Sequence, residues 1–171
     1  METNNEIKYP YLPEGHNIFY VDIDNTFMVQ AKEVARLSND QQQPTGAVIV
    51  FDGKVVSSAS NKNPLTSARL IKLHKKYCIR HILKIPSGEK YWACPGCAGN
   101  ESHAESRASK QLLQKGIPGK PLDLYLWGHW WCCDICWNNM LKLPIENVYL
   151  LKGSEILFNA KNSNNILGHQ F

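Results

Sequence analysis

No stretch of this chain approaches the roughly 18 consecutive apolar residues that a membrane-spanning helix needs, so no such span is expected. The opening residues, Met1-Glu2-Thr3-Asn4-Asn5-Glu6, contain no basic region leading into an apolar stretch. A secretory signal is therefore not expected, and a cytoplasmic location is. No cysteine precedes Cys78 or follows Cys136. Six thiols confined to that window, in a reducing compartment, point to metal ligands rather than a disulfide framework. Neither sign of charge dominates: the net charge is +4 and charged residues make up 20%. That balance suits an anionic small molecule but lacks the long basic stripe of nucleic-acid binding. Lys72, Lys75, Lys76 and Arg80 read as a solvated helix face. With no internal repeat, 171 residues are expected to form one domain around one core.

What is present is a series of short patterned segments. Residues 1–24, rich in Tyr and Pro, read as an irregular leader with Ile18, Phe19 and Val21 as surface anchors. From Asn25 to Leu37 apolar residues recur at helical spacing behind Asp24 and Asn25 as caps. Gly46–Phe51, Asp52-Gly53 and Lys54–Ser58 predict a hairpin. Thr66–Leu83 predicts one helix ending before Pro86, followed by a Pro- and Gly-containing excursion over 85–101. His103–Lys115 predicts a helix capped by Ser102 and stopped at Gly116. A strand over Leu122–Trp127, a short helix to about Leu141 and a strand over Asn147–Leu151 follow. The tail, 154–171, has weak patterning. This order implies an α/β protein with a central sheet and helices on its faces. The expected division is a leader, a 25–153 domain with a 66–101 insertion, and a tail.

The chemistry lies in His103-Ala104-Glu105 and Cys133-Asp134-Ile135-Cys136. One imidazole and two thiolates suit zinc, and three protein ligands leave a fourth position open, where bound water is acidified towards neutrality. Glu105 is two residues from His103, too close along a helix to project the same way. It reads as an unligated carboxylate that moves protons. This His-x-Glu plus Cys-x-x-Cys pattern is that of zinc-dependent nucleobase deaminases. Either half alone is weaker, since Cys-x-x-Cys also serves redox and structural-zinc roles. Trp127, His129, Trp130 and Trp131 lead into the second half, with His129 and Trp130 as candidate pocket walls.

A second set is Cys94-Pro95-Gly96-Cys97 with Cys78 on the preceding helix. His74, four residues before Cys78, and His81, three after it, are alternative fourth ligands. The four-residue spacing favours His74. Closed Cys3His zinc would staple the 85–101 excursion to the helix.

With these residues assembled, the chain resembles the cytidine and deoxycytidylate deaminase superfamily, and its deoxycytidylate branch most. The resemblance is carried by Thr45-Gly46-Ala47-Val48-Ile49-Val50, Asn61, His103-Ala104-Glu105 and Cys133-x-x-Cys136. It implies a three-layer α/β/α sandwich with a mixed sheet, zinc on His103, Cys133 and Cys136, and Glu105 as proton shuttle. It further implies Asn61 at the nucleoside, Ala47 and Ala104 lining the base pocket, and a homo-oligomer. Two departures stand out. Cys132 occupies the place of the family's proline before Cys-x-x-Cys, and Arg107 stands where an asparagine is usual. Arg107 reads as a phosphate partner or as a bridge to an acidic neighbour.

The resulting expectation is hydrolytic deamination of a free cytosine nucleotide, dCMP to dUMP and ammonia. Another free base or nucleoside, or a base in RNA or DNA, is the alternative substrate. The alternative class is a zinc-stapled nucleic-acid-binding or scaffold protein, against which an intact Glu105 argues.

Overall fold

The computed structural model describes residues 11–40, 42–85, 90–97 and 99–171. Five strands form one mixed sheet in the order β1-β5-β4-β2-β3. The hairpin at one edge is β2 (Gly46–Phe51) and β3 (Lys54–Ser60), antiparallel around Asp52-Gly53. β4 (Leu122–Trp127) runs antiparallel to β2, and β5 (Ile145–Leu151) runs parallel to β4.

The outer strand was not expected. Residues Asn17–Val21 are β1, paired in parallel with Asn147–Leu151 of β5, so the expected leader contains a strand; its first ten residues lie outside the described ones. Phe19 and Tyr20 are exposed, which leaves such a short edge segment without a buried-strand signature.

Alternation along the strands divides the core between two faces. Ala47, Ile49, Leu122, Leu124, Leu126, Val148 and Leu150 point to one side. There they meet α4 (Ala104–Lys115) and α5 (Asp134–Met140) through Ala108, Leu112, Trp137 and Met140. Val48, Val50, Tyr125, Trp127 and Leu151 point to the other side, against Met28, Ala31 and Ala35 of α1 (Thr26–Ala35). The architecture is therefore an α/β/α sandwich. Asn25 caps α1, its side chain accepting from the Phe27 and Met28 N–H groups. α1 approaches β2 so closely that a Cβ at Gly46 would overlap the Ala31 carbonyl and the Ala35 nitrogen.

Three other expectations change. The single helix over 66–83 is two, α2 (Ala68–Lys76) and α3 (Ile79–Ile82), interrupted at Tyr77 and Cys78. His103, not Ser102, is the N-cap of α4; Ser102 ends a 3-10 turn over Asn100–Ser102. The tail contains α6 (Ser154–Leu157) and the buried Phe158, which packs on Trp127 with ring centroids 5.2 Å apart. Among the described residues no helix is long and apolar enough to cross a membrane.

Candidate active site

α4 and α5 begin side by side, and their N-caps carry the candidate ligands. His103 and Cys133 both hold extended backbone angles, which turn each side chain across the mouth of its helix. Cys136 lies one turn into α5, and its N–H donates to Cys133 Sγ at 3.3 Å. His103 Nδ1 stands 3.3 Å from Cys136 Sγ and 3.7 Å from Cys133 Sγ, with the sulfurs 3.1 Å apart. A tetrahedron with bonds of about 2.3 Å to sulfur and 2.0–2.1 Å to nitrogen has edges of roughly 3.5–3.8 Å. The three atoms are close to such a face, so this donor set fits zinc with one position open.

Two polar side chains hold the ligands from behind. Ser106 Oγ donates to Cys136 Sγ at 3.5 Å and accepts from Asn139 Nδ2 at 3.1 Å. Neither was singled out from the sequence. The available signal was spacing, since each lies three residues beyond a ligand on the same helix.

Glu105 sits in the first turn of α4 and is 4% exposed. It is not one of the three mutually close ligand atoms. Burial pushes its carboxyl above the ordinary value, and Cys133 adds to the shift; His103 and a hydrogen bond with Cys132 oppose it. Burial raises the Cys132 thiol well above its usual range, and the Glu105 charge adds to that. Cys132 thus faces the carboxylate while Cys133 faces His103 and Cys136. Cys133 is held down at about 5, chiefly by its hydrogen bond with Cys136. For His103, burial acts to lower the pKa, but the hydrogen bond with Cys133 and the charge of Glu105 raise it overall.

The candidate pocket residues divide. Ala47 and Ala104 are fully buried beside the ligands. Asn61 has its amide fully engaged. Its Oδ1 accepts from Ser38 Oγ at 2.6 Å and from the Thr45 N–H at 2.9 Å, and its Nδ2 donates to the Gln43 carbonyl at 3.0 Å and to Asp40 at 3.5 Å. His129 Nδ1 accepts from the N–H groups of Trp130 and Trp131, while Trp130 is partly buried between the two core clusters. Arg107 Nη1 donates to the Ser60 carbonyl at the end of β3.

Residues 21–152 match the family model of the cytidine and deoxycytidylate deaminase zinc-binding region. The chain belongs to that family. A dCMP deaminase from the cyanophage S-TIM5, solved in apo form, aligns at 19% identity over 72% of this chain and 78% of that one, with a TM-score of 0.47. The search of curated proteins returned no match.

Within this deaminase-family chain the structure gathers a second cluster, His74, Cys78, Cys94 and Cys97, with ligand atoms all within 4.8 Å of one another. Cys97 Sγ lies 3.5 Å from both Cys78 Sγ and His74 Nε2. The helix break places Cys78 at the N-cap of α3, so His74 joins from a different helix and not from one continuous face. His81 is exposed and outside the cluster. Burial acts to raise the Cys94 thiol, but hydrogen bonds from the Gly96 and Ile79 backbone pull it down overall. Such N–H donors favour thiolate. Gly96 lies so near His74 that a Cβ would overlap the imidazole. Lys72, Lys75 and Lys76 are exposed as expected, but Arg80 is only 7% exposed and turns inwards.

Proposed function

We propose that this protein is a zinc-dependent hydrolase that deaminates a free cytosine nucleotide, converting dCMP to dUMP and ammonia. One observation carries the reading: a buried carboxylate, Glu105, stands unligated beside a three-donor His103-Cys133-Cys136 set. Zinc in that set supplies an open position and a water acidified towards neutrality. Glu105 takes a proton from the attacking water and passes it to N3 as oxygen adds at C4. It then takes the remaining proton from the new C4 hydroxyl and delivers it to the amine, which leaves as ammonia as the C4–N bond breaks and C4=O forms. Burial raises the pKa of Glu105, so this carboxyl holds a proton more readily than a solvated one, as a shuttle must. A scaffold with structural zinc would have no use for this carboxylate.

In the same reading Ala47 and Ala104 belong to the floor of the base pocket. Trp130 and His129 form its wall. Asn61 acts on the nucleoside through the 38–45 loop that its amide anchors. Asn61→Ala should therefore lower kcat/KM by about tenfold while the protein still melts cooperatively.

The Cys94 environment and the overlap-free fit of His74 over Gly96 support a second, structural zinc on His74, Cys78, Cys94 and Cys97. Six free thiols gathered in or beside ligand clusters suit a reducing compartment and support a cytoplasmic location. A homo-oligomer belongs to the same reading, supported by the exposed Leu70, Leu73, Ile82 and Leu83 of α2 and the segment around α3; sedimentation velocity reads it.

The test is ammonia release from cytosine, deoxycytidine, dCMP, CMP, adenosine and guanine. The reading expects dCMP to exceed deoxycytidine in kcat/KM by at least tenfold, the minimum that a useful phosphate contact confers. Equal rates on the two would contradict a nucleotide substrate.

A further inference from the structure

A continuous line of side chains joins the two ligand clusters. Arg80 Nη1 donates to Cys97 Sγ at 3.6 Å, and its guanidinium lies 4.2 Å from the centroid of the Tyr91 ring. Tyr91 in turn meets the His103 imidazole edge-on, with centroids 5.7 Å apart and planes at 88°. Each contact is of a kind that fixes direction: a charge-assisted N–H to sulfur bond, a cation over an aromatic face, and a T-shaped ring pair.

The far end of this line needs support. His103 is the N-cap of α4, but its side chain makes no capping hydrogen bond. Among the described residues its ring has hydrogen-bond contacts only with the two ligand thiols. A metal-ligating histidine is ordinarily oriented by a partner on its other side, and such partners matter nearly as much as the ligands. Here the Tyr91 ring packs directly against the imidazole. Tyr91 itself opens a three-residue 3-10 turn, Tyr91–Ala93, entered through Lys90 in the left-handed region (φ 44°) and followed at once by the buried Cys94. Cys94 and Cys97 tie it down.

We propose that the second cluster is a positioning device for the first. Metal held by His74, Cys78, Cys94 and Cys97 fixes the 90–97 segment, and Tyr91, backed by Arg80, then sets the angle at which the His103 ring presents Nδ1. This inference rests on the reading of the second cluster as a zinc site. Tyr91 and Arg80 are positioning residues, not catalytic ones.

Cadmium-113 substitution of the whole protein tests it, because a two-thiolate and a three-thiolate ion resonate apart and both are read without substrate. Two resonances are expected in wild type, Tyr91→Phe, Tyr91→Leu and Arg80→Met. Tyr91→Leu should shift or broaden the two-thiolate resonance and leave the three-thiolate one in place. In the zinc form its kcat on dCMP should fall about tenfold with KM within about twofold. Tyr91→Phe, which keeps the ring edge, should restore both. Two resonances with the two-thiolate line unmoved in Tyr91→Leu would overturn the positioning role and leave the second centre standing. One cadmium per chain would overturn the second centre and the inference with it. Should Tyr91→Leu not fold, Arg80→Met carries the test: an unmoved two-thiolate line there overturns the proposal equally.

Discussion

Burial, together with the charge of His103, holds His129 at about 3 against an ordinary 6.5, and its Nδ1 is already committed to two backbone N–H groups. The unfolded chain takes up this proton near pH 6.5, whereas the native chain resists until about 3. The residue therefore costs nothing above that first value and destabilises the fold progressively as pH falls between the two, at about 1.4 kcal/mol per pH unit. His129→Asn, which offers an oxygen acceptor with no titration, should lose roughly 1–2 kcal/mol less than wild type between pH 7 and pH 5. Urea unfolding at both pH values checks this, and parallel losses would dismiss it. A second expectation concerns register: Cys133→Ser should lose the catalytic zinc and more than about 100-fold in turnover, while Cys132→Ser keeps the metal. Zinc analysis of the two variants distinguishes them, and the opposite pattern would make Cys132 the ligand. At this scale the site was legible wherever chemistry fixes spacing, as in His-x-Glu and Cys-x-x-Cys. Ser106, Asn139, Tyr91 and Arg80 were not, because their roles depend on what the fold brings beside them.

Strong periodicity survived at the level of elements, and long-range pairing did not. β2, the Asp52-Gly53 turn and β4 fall where alternation and turn chemistry put them. β1 pairs with a strand some 130 positions away and exposes its aromatic residues, so nothing local marks it. The break at Tyr77 and Cys78 is equally invisible in an apolar pattern that continues through Leu83. It serves the thiol cluster, which needs Cys78 at a helix start and His74 at the end of the preceding helix. Close approach of α1 to β2 is an element-level demand that one glycine meets. Gly46→Val should cost about 1–3 kcal/mol through overlap with Ala31 and Ala35, read by urea unfolding. A change within a few tenths would show that α1 shifts freely. Cys94→Ser should speed amide exchange over residues 91–97 and lower the melting temperature, since structural zinc contributes directly to folding. Unchanged exchange there would remove the staple.

For the molecule as a whole, the sandwich brings two helix starts together on one face of the sheet. Under the proposal two zinc ions per chain are expected, one open and one closed, and metal analysis of the purified protein reads them. The central claim is that the carboxylate moves protons and the three neighbouring ligands hold the metal. Its most direct measurement compares wild type with Glu105→Ala, reading catalytic zinc content and ammonia release from dCMP on the same samples. The account predicts full zinc with turnover reduced by at least about 100-fold. Loss of the catalytic zinc together with activity would make Glu105 a ligand, and turnover close to wild type with zinc in place would remove it from the chemistry; either result contradicts the account.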